Sequence, residues 1–277
     1  MQVQRPQRLA GLALLLGLLL LMTGLSLTVG ARAVPWGEIW AGMTGRIETI
    51  GAAAVAVRMP RTALAILAGA ALGLAGAVMQ GISRNPLADP GILGVNAGAA
   101  LFVVVGIAWF DISGAQSFLW LGIAGAGVTA VFVYLIGSAG QGGATPLKLT
   151  LAGTATSVAV SAFIIAVVLP RNDIAGSVQS WQVGGIGGAS FETLLPALPF
   201  ALVGLALSLA SARVLNALAL GEELATGLGQ SVALGRVMAA AGAVILCGTA
   251  TALCGPIGFV GLVVPHLCRM IAGVDYR

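Results

Sequence analysis

The sequence predicts an all-α membrane protein, a polytopic bundle of transmembrane helices. The 277 residues are 58% hydrophobic and only 8% charged, whereas soluble domains carry about 25% charged residues. Seven uncharged stretches reach the length of about 18 residues that crosses the hydrocarbon core. The 41 glycines lie inside apolar runs without a period of three. That distribution is typical of helices that pack closely in a membrane.

Each predicted span is an apolar run between polar or charged residues. The seven spans cover residues 9–30, 62–82, 91–110, 117–137, 149–170, 193–212 and 237–254. An eighth apolar segment, residues 255–268, is short and contains Pro256 and Pro265. It is predicted to be a short helix facing the bundle interior, because broken helices at membrane depth need surrounding protein or a water cavity. Residues 1–277 are expected to form a single transmembrane domain.

The distribution of basic residues predicts a cytoplasmic N-terminus. In that orientation eight arginines and lysines lie inside and five lie outside, which agrees with the positive-inside rule. The inside group is Arg5, Arg8, Arg84, Lys148, Arg213, Arg236, Arg269 and Arg277, and the outside group is Arg32, Arg46, Arg58, Arg61 and Arg171. Most of the outer arginines fall in the polar connection over residues 31–61, which is interpreted as a long loop.

Several kinds of chemistry are missing from the sequence. It has no G-x-x-x-x-G-K-[ST] phosphate loop and no G-x-S-x-G element. His266 is the only histidine, so no second histidine can complete a metal or haem pair, and no cofactor is expected. Cys247, Cys254 and Cys268 are interpreted as small hydrophobic residues. The seven spans contain no Asp, Glu, Lys or Arg, groups that ion-driven carriers usually need. This absence argues against an enzyme or an ion-gradient transporter and predicts an energy source outside this subunit.

Arg58-Met59-Pro60-Arg61 lies at the predicted outer end of the second span. Proline is tolerated at a helix start, so a helix is predicted to begin here. One interpretation is that the two arginines snorkel to the membrane interface. The other is that they dock carboxylates of another protein.

Two further segments are too polar to be plain spans. Residues 80–94 read QGISRNPLADPGILG, and Asn85 and Asp89 predict a compact cytoplasmic turn between spans. Residues 215–229 read LNALALGEELATGLG; Gly221 is predicted to end one helix, and Glu222 and Glu223 to begin another near its positive end. This second helix either lies at the membrane surface or is presented to a soluble partner.

Six ordered motifs make the chain resemble the FecCD family, the permeases of ATP-binding-cassette importers for iron–siderophore, haem and cobalamin. The motifs are R-x-P-R at 58–61, RNPLADPGILGVNAGA at 84–99, LAG at 151–153, WQVGG at 181–185, LGEELATGLG at 220–229 and GPIGFVGLVVPHLCR at 255–269. The variant G-V-N-A-G-A is most similar to the ferric-enterobactin branch.

The resemblance implies a role for each matching position. The implied roles are binding-protein docking for Arg58 and Arg61; ATPase coupling for Gly221, Glu222, Glu223, Ala225 and Gly229; an inner-mouth turn for Asn85, Pro86, Asp89 and Pro90; and a core or gating segment for Gly258, Pro265, His266 and Arg269. It also implies that the span over residues 149–170 lines the transport pathway.

The same resemblance implies the assembly and the cargo. Two permease subunits, alike or different, would surround a central pore with one ATPase beneath each, and a periplasmic or lipoprotein substrate-binding protein would dock outside. The expected location is the bacterial cytoplasmic membrane, in contact with lipid and not with nucleic acid. The fold would be a type II importer permease with about eight of the family's ten spans, because the family continues beyond Asp275-Tyr276-Arg277. Ferric siderophore is the expected cargo; haem or cobalamin transport, an ion-gradient-driven transporter and a transport-inactive fragment are the alternatives.

Overall fold

A computed structural model describes residues 5–30, 33–140 and 145–273. Arg32 and Arg277, two of the basic residues from which the orientation was predicted, therefore lie outside the described residues. The D-Y-R terminus also lies outside them. Within these ranges the chain forms twelve α-helices and two 3₁₀ turns. They are α1 (Arg5–Thr28), α2 (Trp36–Met43), α3 (Ile50–Ser83), the 3₁₀ turn Pro90–Leu93, α4 (Val95–Phe110), α5 (Ala115–Ser138), α6 (Pro146–Val168), α7 (Asn172–Val183), α8 (Phe191–Leu194), the 3₁₀ turn Leu195–Ala197, α9 (Leu198–Leu218), α10 (Glu222–Gly227), α11 (Val232–Cys254) and α12 (Val260–Ala272).

The all-α membrane fold is confirmed. Six of the described helical segments are long and apolar enough to cross a membrane. They are Leu9–Thr28, Ile50–Ser83, Gln116–Ser138, Leu147–Val168, Phe191–Leu218 and Val232–Cys254. Two further apolar helices, α4 and α12, are shorter. The helix that corresponds to the predicted span over residues 91–110 is shorter than predicted. The first residues of that span form the 3₁₀ turn, and Gly94, in a left-handed conformation (φ 69°), separates this turn from α4.

The prediction that a helix begins at Pro60 is wrong. α3 starts ten residues earlier, at Ile50, where the Thr49 hydroxyl oxygen accepts a hydrogen bond from the Ala52 N–H at 3.1 Å. Pro60 lies inside this 34-residue helix, since a membrane helix tolerates proline when its surroundings satisfy the freed backbone groups. The connection interpreted as a long loop therefore holds α2 and the first turns of α3.

Helices α3 and α11 lie at the centre of the bundle. Both pack against α9, and α11 also packs against α4 and α5, while α12 packs against α3. Close approach depends on glycine: a β-carbon at Gly76 in α3 would collide with the Gly261 carbonyl in α12. Gly98 in α4 and Gly125 in α5 make a second contact of this kind. Because glycine has no side chain, the two helix backbones can approach each other closely.

Candidate functional site

The outer arginines lie on α3, where it meets the end of α1. Arg58 Nη1 donates to the Leu27 carbonyl at 3.0 Å, and its guanidinium lies against Gly30. One turn further along α3, the hydroxyls of Thr62 and Ser26 are 2.7 Å apart. The first predicted docking residue therefore also fastens α1 to α3.

Arg61 is held differently from Arg58. Its side chain is half-buried, and its Nε is buried without a hydrogen-bond partner among the described residues. A buried donor left unpaired costs about 1–3 kcal/mol. Because this Nε atom is buried, a partner from outside the chain can approach only the rest of the half-buried side chain.

The predicted inner-mouth turn divides into an exposed half and a buried half. Asn85 and Pro86 are exposed, and the Asn85 side-chain carbonyl accepts from the Leu87 N–H at 3.0 Å. Asp89 is half-buried and accepts from the Gly91 N–H at 2.8 Å, and Pro90 is buried. The two side-chain caps confirm the compact turn predicted from Asn85 and Asp89.

The turn and the predicted gating segment lie next to each other. Asp89 Oδ2 lies beside Gly261, where it is 3.0 Å from the position that a β-carbon would take. Gln80, buried in α3, donates weakly to the Gly261 and Leu262 carbonyls at 3.4 and 3.3 Å. Arg269 in turn donates to Gln80 Oε1. These contacts tie α12 to the end of α3 and its turn.

The remaining residues of the gating segment differ in exposure. Pro265 is buried inside α12, whereas His266 is exposed and Gly258 is exposed before the helix. The short helix thus turns one face to the bundle and leaves its histidine outside. No group of three metal-ligating side chains occurs within the described ranges.

The sequence did not reveal a second polar link, which joins α4 to α11. Thr251 Oγ1 donates to Asn96 Oδ1 at 2.8 Å, and the Cys247 thiol approaches the same oxygen at 3.5 Å. Cys247 and Cys254 are buried, as predicted, and Cys268 is half-buried. Asn96 lies inside a motif of the family pattern, but its partners are 151 and 155 residues away, so only the fold identifies them.

The predicted break at Gly221 is present, and α10 begins at Glu222. Gly221 has φ 119°, a conformation that favours glycine. Ala225 is fully buried and anchors α10 to the core cluster that includes Leu215 and Leu218. Glu223 and Gly229, by contrast, are exposed. The helix is therefore fixed on one side and open on the other.

Glu222 forms an ion pair with an arginine of the same chain. Arg236 Nη1 and Nη2 donate to its two carboxylate oxygens at 3.1 and 2.7 Å. These hydrogen bonds, the charge of Arg236 and the more distant charge of Arg84 lower the pKa of Glu222 below its usual value. The end of α3, the short α10 and the start of α11 thus form one charged cluster.

Three exposed leucines accompany Glu223 on this end of the bundle. Leu220, Leu224 and Leu228 recur every four residues and are 63%, 60% and 63% exposed. Exposed apolar side chains beside an acidic group are common in protein interfaces. Both interpretations of this segment, a helix at the membrane surface and a helix presented to a soluble partner, therefore stay predictions.

A groove of about 510 Å³ lies between α4, α5 and α6. Its lining is almost entirely apolar, and its one hydroxyl, on Thr156, already donates to the Ala152 carbonyl at 2.7 Å. The lining residues are Leu101, Phe132, Ala155, Thr156, Ala159, Val160 and Phe163. The groove therefore offers apolar surface and no free hydroxyl group.

Known proteins share this fold and these motifs. Residues 18–277 match the model of the FecCD transport family. The Escherichia coli ferric enterobactin transport system permease protein FepD is 41% identical over 264 residues, which are 95% of this chain and 79% of that protein. The Yersinia pestis hemin transport system permease protein HmuU is 34% identical over 278 residues, 99% of this chain and 81% of HmuU.

A solved structure has the same arrangement of helices. It is described as an inward-facing conformation of a metal-chelate type ABC transporter. The TM-score is 0.77 at 29% sequence identity, and the match covers 94% of this chain and 81% of that one. The likeness extends over most of the described bundle.

Proposed function

Because the chain belongs to the FecCD transport family, we propose that it is the permease subunit of an ATP-binding-cassette importer that carries ferric siderophore across the bacterial cytoplasmic membrane. The choice of ferric siderophore as the cargo rests on the 41% identity to a ferric enterobactin permease over 95% of this chain. Identity to the hemin permease is lower, at 34%.

The energy comes from a separate ATPase bound to the inner end of the bundle. In the N-in orientation, α10 lies on the cytoplasmic side with Glu223 and the three leucines exposed. The chain itself has no phosphate loop. Two ATPase copies serve a pair of permease subunits, which are either identical or different.

A substrate-binding protein delivers the cargo at the outer end. Arg61 receives a carboxylate from that protein, and Arg58 places its charge about one turn away along α3. A charge-assisted hydrogen bond is stronger than a neutral one and gives the docked complex a defined orientation.

The transport step alternates between outward-open and inward-open arrangements of the helices. In this proposal the α6 helix lines the path, and the contact between Asp89 and the start of α12 closes its inner end. Nucleotide binding moves the ATPases and, through α10, the helices joined to it. Separation of the turn from α12 would open the inner side.

The test is iron-dependent growth and uptake of radiolabelled ferric siderophores. A strain lacking this gene should lose uptake of one siderophore class and regain it with the intact gene. The double variant Arg58→Glu, Arg61→Glu should fail to restore uptake at normal membrane abundance, whereas Arg58→Lys, Arg61→Lys should restore part of it. Unchanged uptake in the double glutamate variant would rule out the docking role.

Haem import is the second candidate, favoured by the match to the hemin permease over 99% of this chain. The deletion strain distinguishes the two cargoes directly. Loss of growth on haem with siderophore uptake intact would replace the proposed cargo. Uphill transport by the purified chain alone, driven by an ion gradient, would instead refute the importer class.

A further inference from the structure

A helical hairpin stands at the outer end of the bundle. We call residues 36–61 the outer hairpin; it consists of α2, the turn over residues 44–49 and the first turns of α3. Gly42 packs against the Ala52 carbonyl and Val55, and Ile39 and Val55 are buried together. These contacts hold α2 against α3 and fix its position.

The outer hairpin rises above the lipid. The 20 apolar residues Leu9–Thr28 of α1 are about 30 Å long, the thickness of the hydrocarbon core. Because the hydroxyls of Ser26 and Thr62 are 2.7 Å apart, Thr62 lies near the outer boundary of that core. Residues 50–61 extend α3 beyond Thr62 by about 18 Å, at a rise of 1.5 Å per residue. The head-group layer is only about 5–8 Å thick on each side, so the tip lies in water.

The part of the hairpin in water exposes large apolar side chains. Trp40, Ile47 and Ile50 are 70%, 57% and 75% exposed, and Met43 is also exposed. Trp40 and Met43 lie three residues apart on one side of α2, next to the face that buries Ile39 and Gly42. Large apolar groups exposed to water mark a surface that a partner covers.

The tip also carries an arginine without an internal role. Arg46 is exposed, and its guanidinium makes no hydrogen bond or ion pair among the described residues, although its backbone N–H donates to the Ala41 carbonyl at 2.8 Å. Glu48, two residues further along the chain, is also exposed. Two other outer arginines are engaged, since Arg58 donates to Leu27 and Arg171 pairs with Asp173 at 2.8 Å. Arg46 is exposed, whereas Arg61 is half-buried, so Arg46 is the more accessible cation for a partner that approaches from the water side.

We propose that the outer hairpin is a docking surface for the substrate-binding protein, with Trp40 and Ile47 as apolar contacts and Arg46 facing a carboxylate of that protein. The inference rests on the proposed function and adds a contact site beyond Arg61, at the outer end of α3. Tryptophan, methionine and arginine are enriched at protein interfaces. Glu48 beside Arg46 makes the contact selective for a partner whose charges are arranged in the complementary order.

The first test measures affinity of the assembled transporter in nanodiscs for the binding protein whose deletion abolishes uptake. Arg46→Glu should weaken binding about tenfold or more, and Arg46→Lys should stay within about threefold of the unsubstituted chain. Because the residue is exposed, both variants should keep normal thermal stability. Affinity within twofold of normal for Arg46→Glu would overturn the proposal.

The second test separates protein contact from lipid contact. An environment-sensitive fluorophore on Ile47→Cys, in a Cys268→Ser background, should shift its emission when the binding protein is added. Nitroxides on lipid head groups should not quench it. Quenching by the head groups, with no response to the binding protein, would identify the hairpin as a membrane anchor and overturn the proposal.

The outcome for the hairpin is distinguishable from the outcome for the proposed function. If the double glutamate variant of Arg58 and Arg61 loses affinity while Arg46→Glu does not, the hairpin is not a docking surface and the importer role stands. If no binding protein associates with the unsubstituted transporter, both the proposed function and the hairpin inference fail.

Discussion

Arg236 and Glu222 form a bidentate ion pair that closes the loop between α10 and α11. Arg84, at the end of α3, contributes a third charge to this cluster. The paired side chains are 35% and 57% exposed, so the ion pair contributes only about 0.2–1 kcal/mol. Glu222 therefore helps to hold α10 in place, whereas the neighbouring Glu223 is exposed.

The two glutamates should differ in their effect on ATPase binding. Glu223→Lys should reduce copurification of the ATPase several-fold without lowering the melting temperature, because it reverses an exposed charge that meets the partner. Glu222→Gln should lower local stability and weaken copurification less. Copurification with fluorescence-monitored unfolding measures both effects. Loss of the ATPase from the Glu222→Gln variant, with normal copurification by Glu223→Lys, would assign the ATPase contact to Glu222 instead of Glu223.

The ion pair also predicts a pH dependence. Arg236 lowers the pKa of Glu222 below its usual 4.5, so the stabilisation is fully present above that value. It is lost as the pH falls through the lowered pKa of the folded state. Amide hydrogen exchange in α10 should have the same protection at pH 8 and pH 5.5, after correction for the intrinsic rate, and less protection below about pH 4.5. In Glu222→Gln this acid-dependent loss should be absent; an equal loss would assign it to another group.

Gly76 should not accept a side chain. A β-carbon there meets the Gly261 backbone, so Gly76→Ala should destabilise the α3–α12 contact by about 1–3 kcal/mol. Gly69 is a matched control in the same helix, because nothing lies within 4 Å of its β-carbon position. Gly69→Ala should be neutral or slightly stabilising. Thermal unfolding in detergent measures both variants, and equal melting temperatures would contradict the close contact.

Gln80 is expected to hold Arg269. Gln80→Leu removes the acceptor of the arginine, and a partly buried charge that loses its partner costs about 1–3 kcal/mol. The double variant Gln80→Leu, Arg269→Met should be more stable than Gln80→Leu alone, since no charge is left unpaired. Additive losses in this double-mutant cycle would show that the two side chains do not interact.

The purified chain should hydrolyse no ATP. The sequence lacks the phosphate loop that cradles nucleotide, so activity should appear only when the partner ATPase is added. A phosphate-release assay on the chain alone and on the assembled transporter measures this. ATPase activity that persists in the chain after removal of every copurifying protein would contradict the proposal that a separate subunit hydrolyses ATP.

The sequence predicted the membrane bundle, the family and the turns, because apolar length and turn chemistry are local properties. It placed the start of α3 at Pro60, since a proline breaks a helix in water but is tolerated in a membrane helix. It missed α2, although Trp36 and Trp40 are four residues apart and could have indicated a helix with an exposed face. The links of Gln80 to Arg269 and of Asn96 to Thr251 join residues far apart in the chain, so no local pattern could reveal them.

The length of α3 has a mechanical consequence. One unbroken helix, 34 residues long, carries the hairpin at its outer end and reaches Arg84, next to Glu222, at its other end. A helix about 51 Å long transmits a push or a tilt along its whole axis. Under the proposed function, a cargo carrier that arrives at one membrane face and a motor protein that engages the other would act on the same helix, so each side would sense the state of the other without a relay of separate parts.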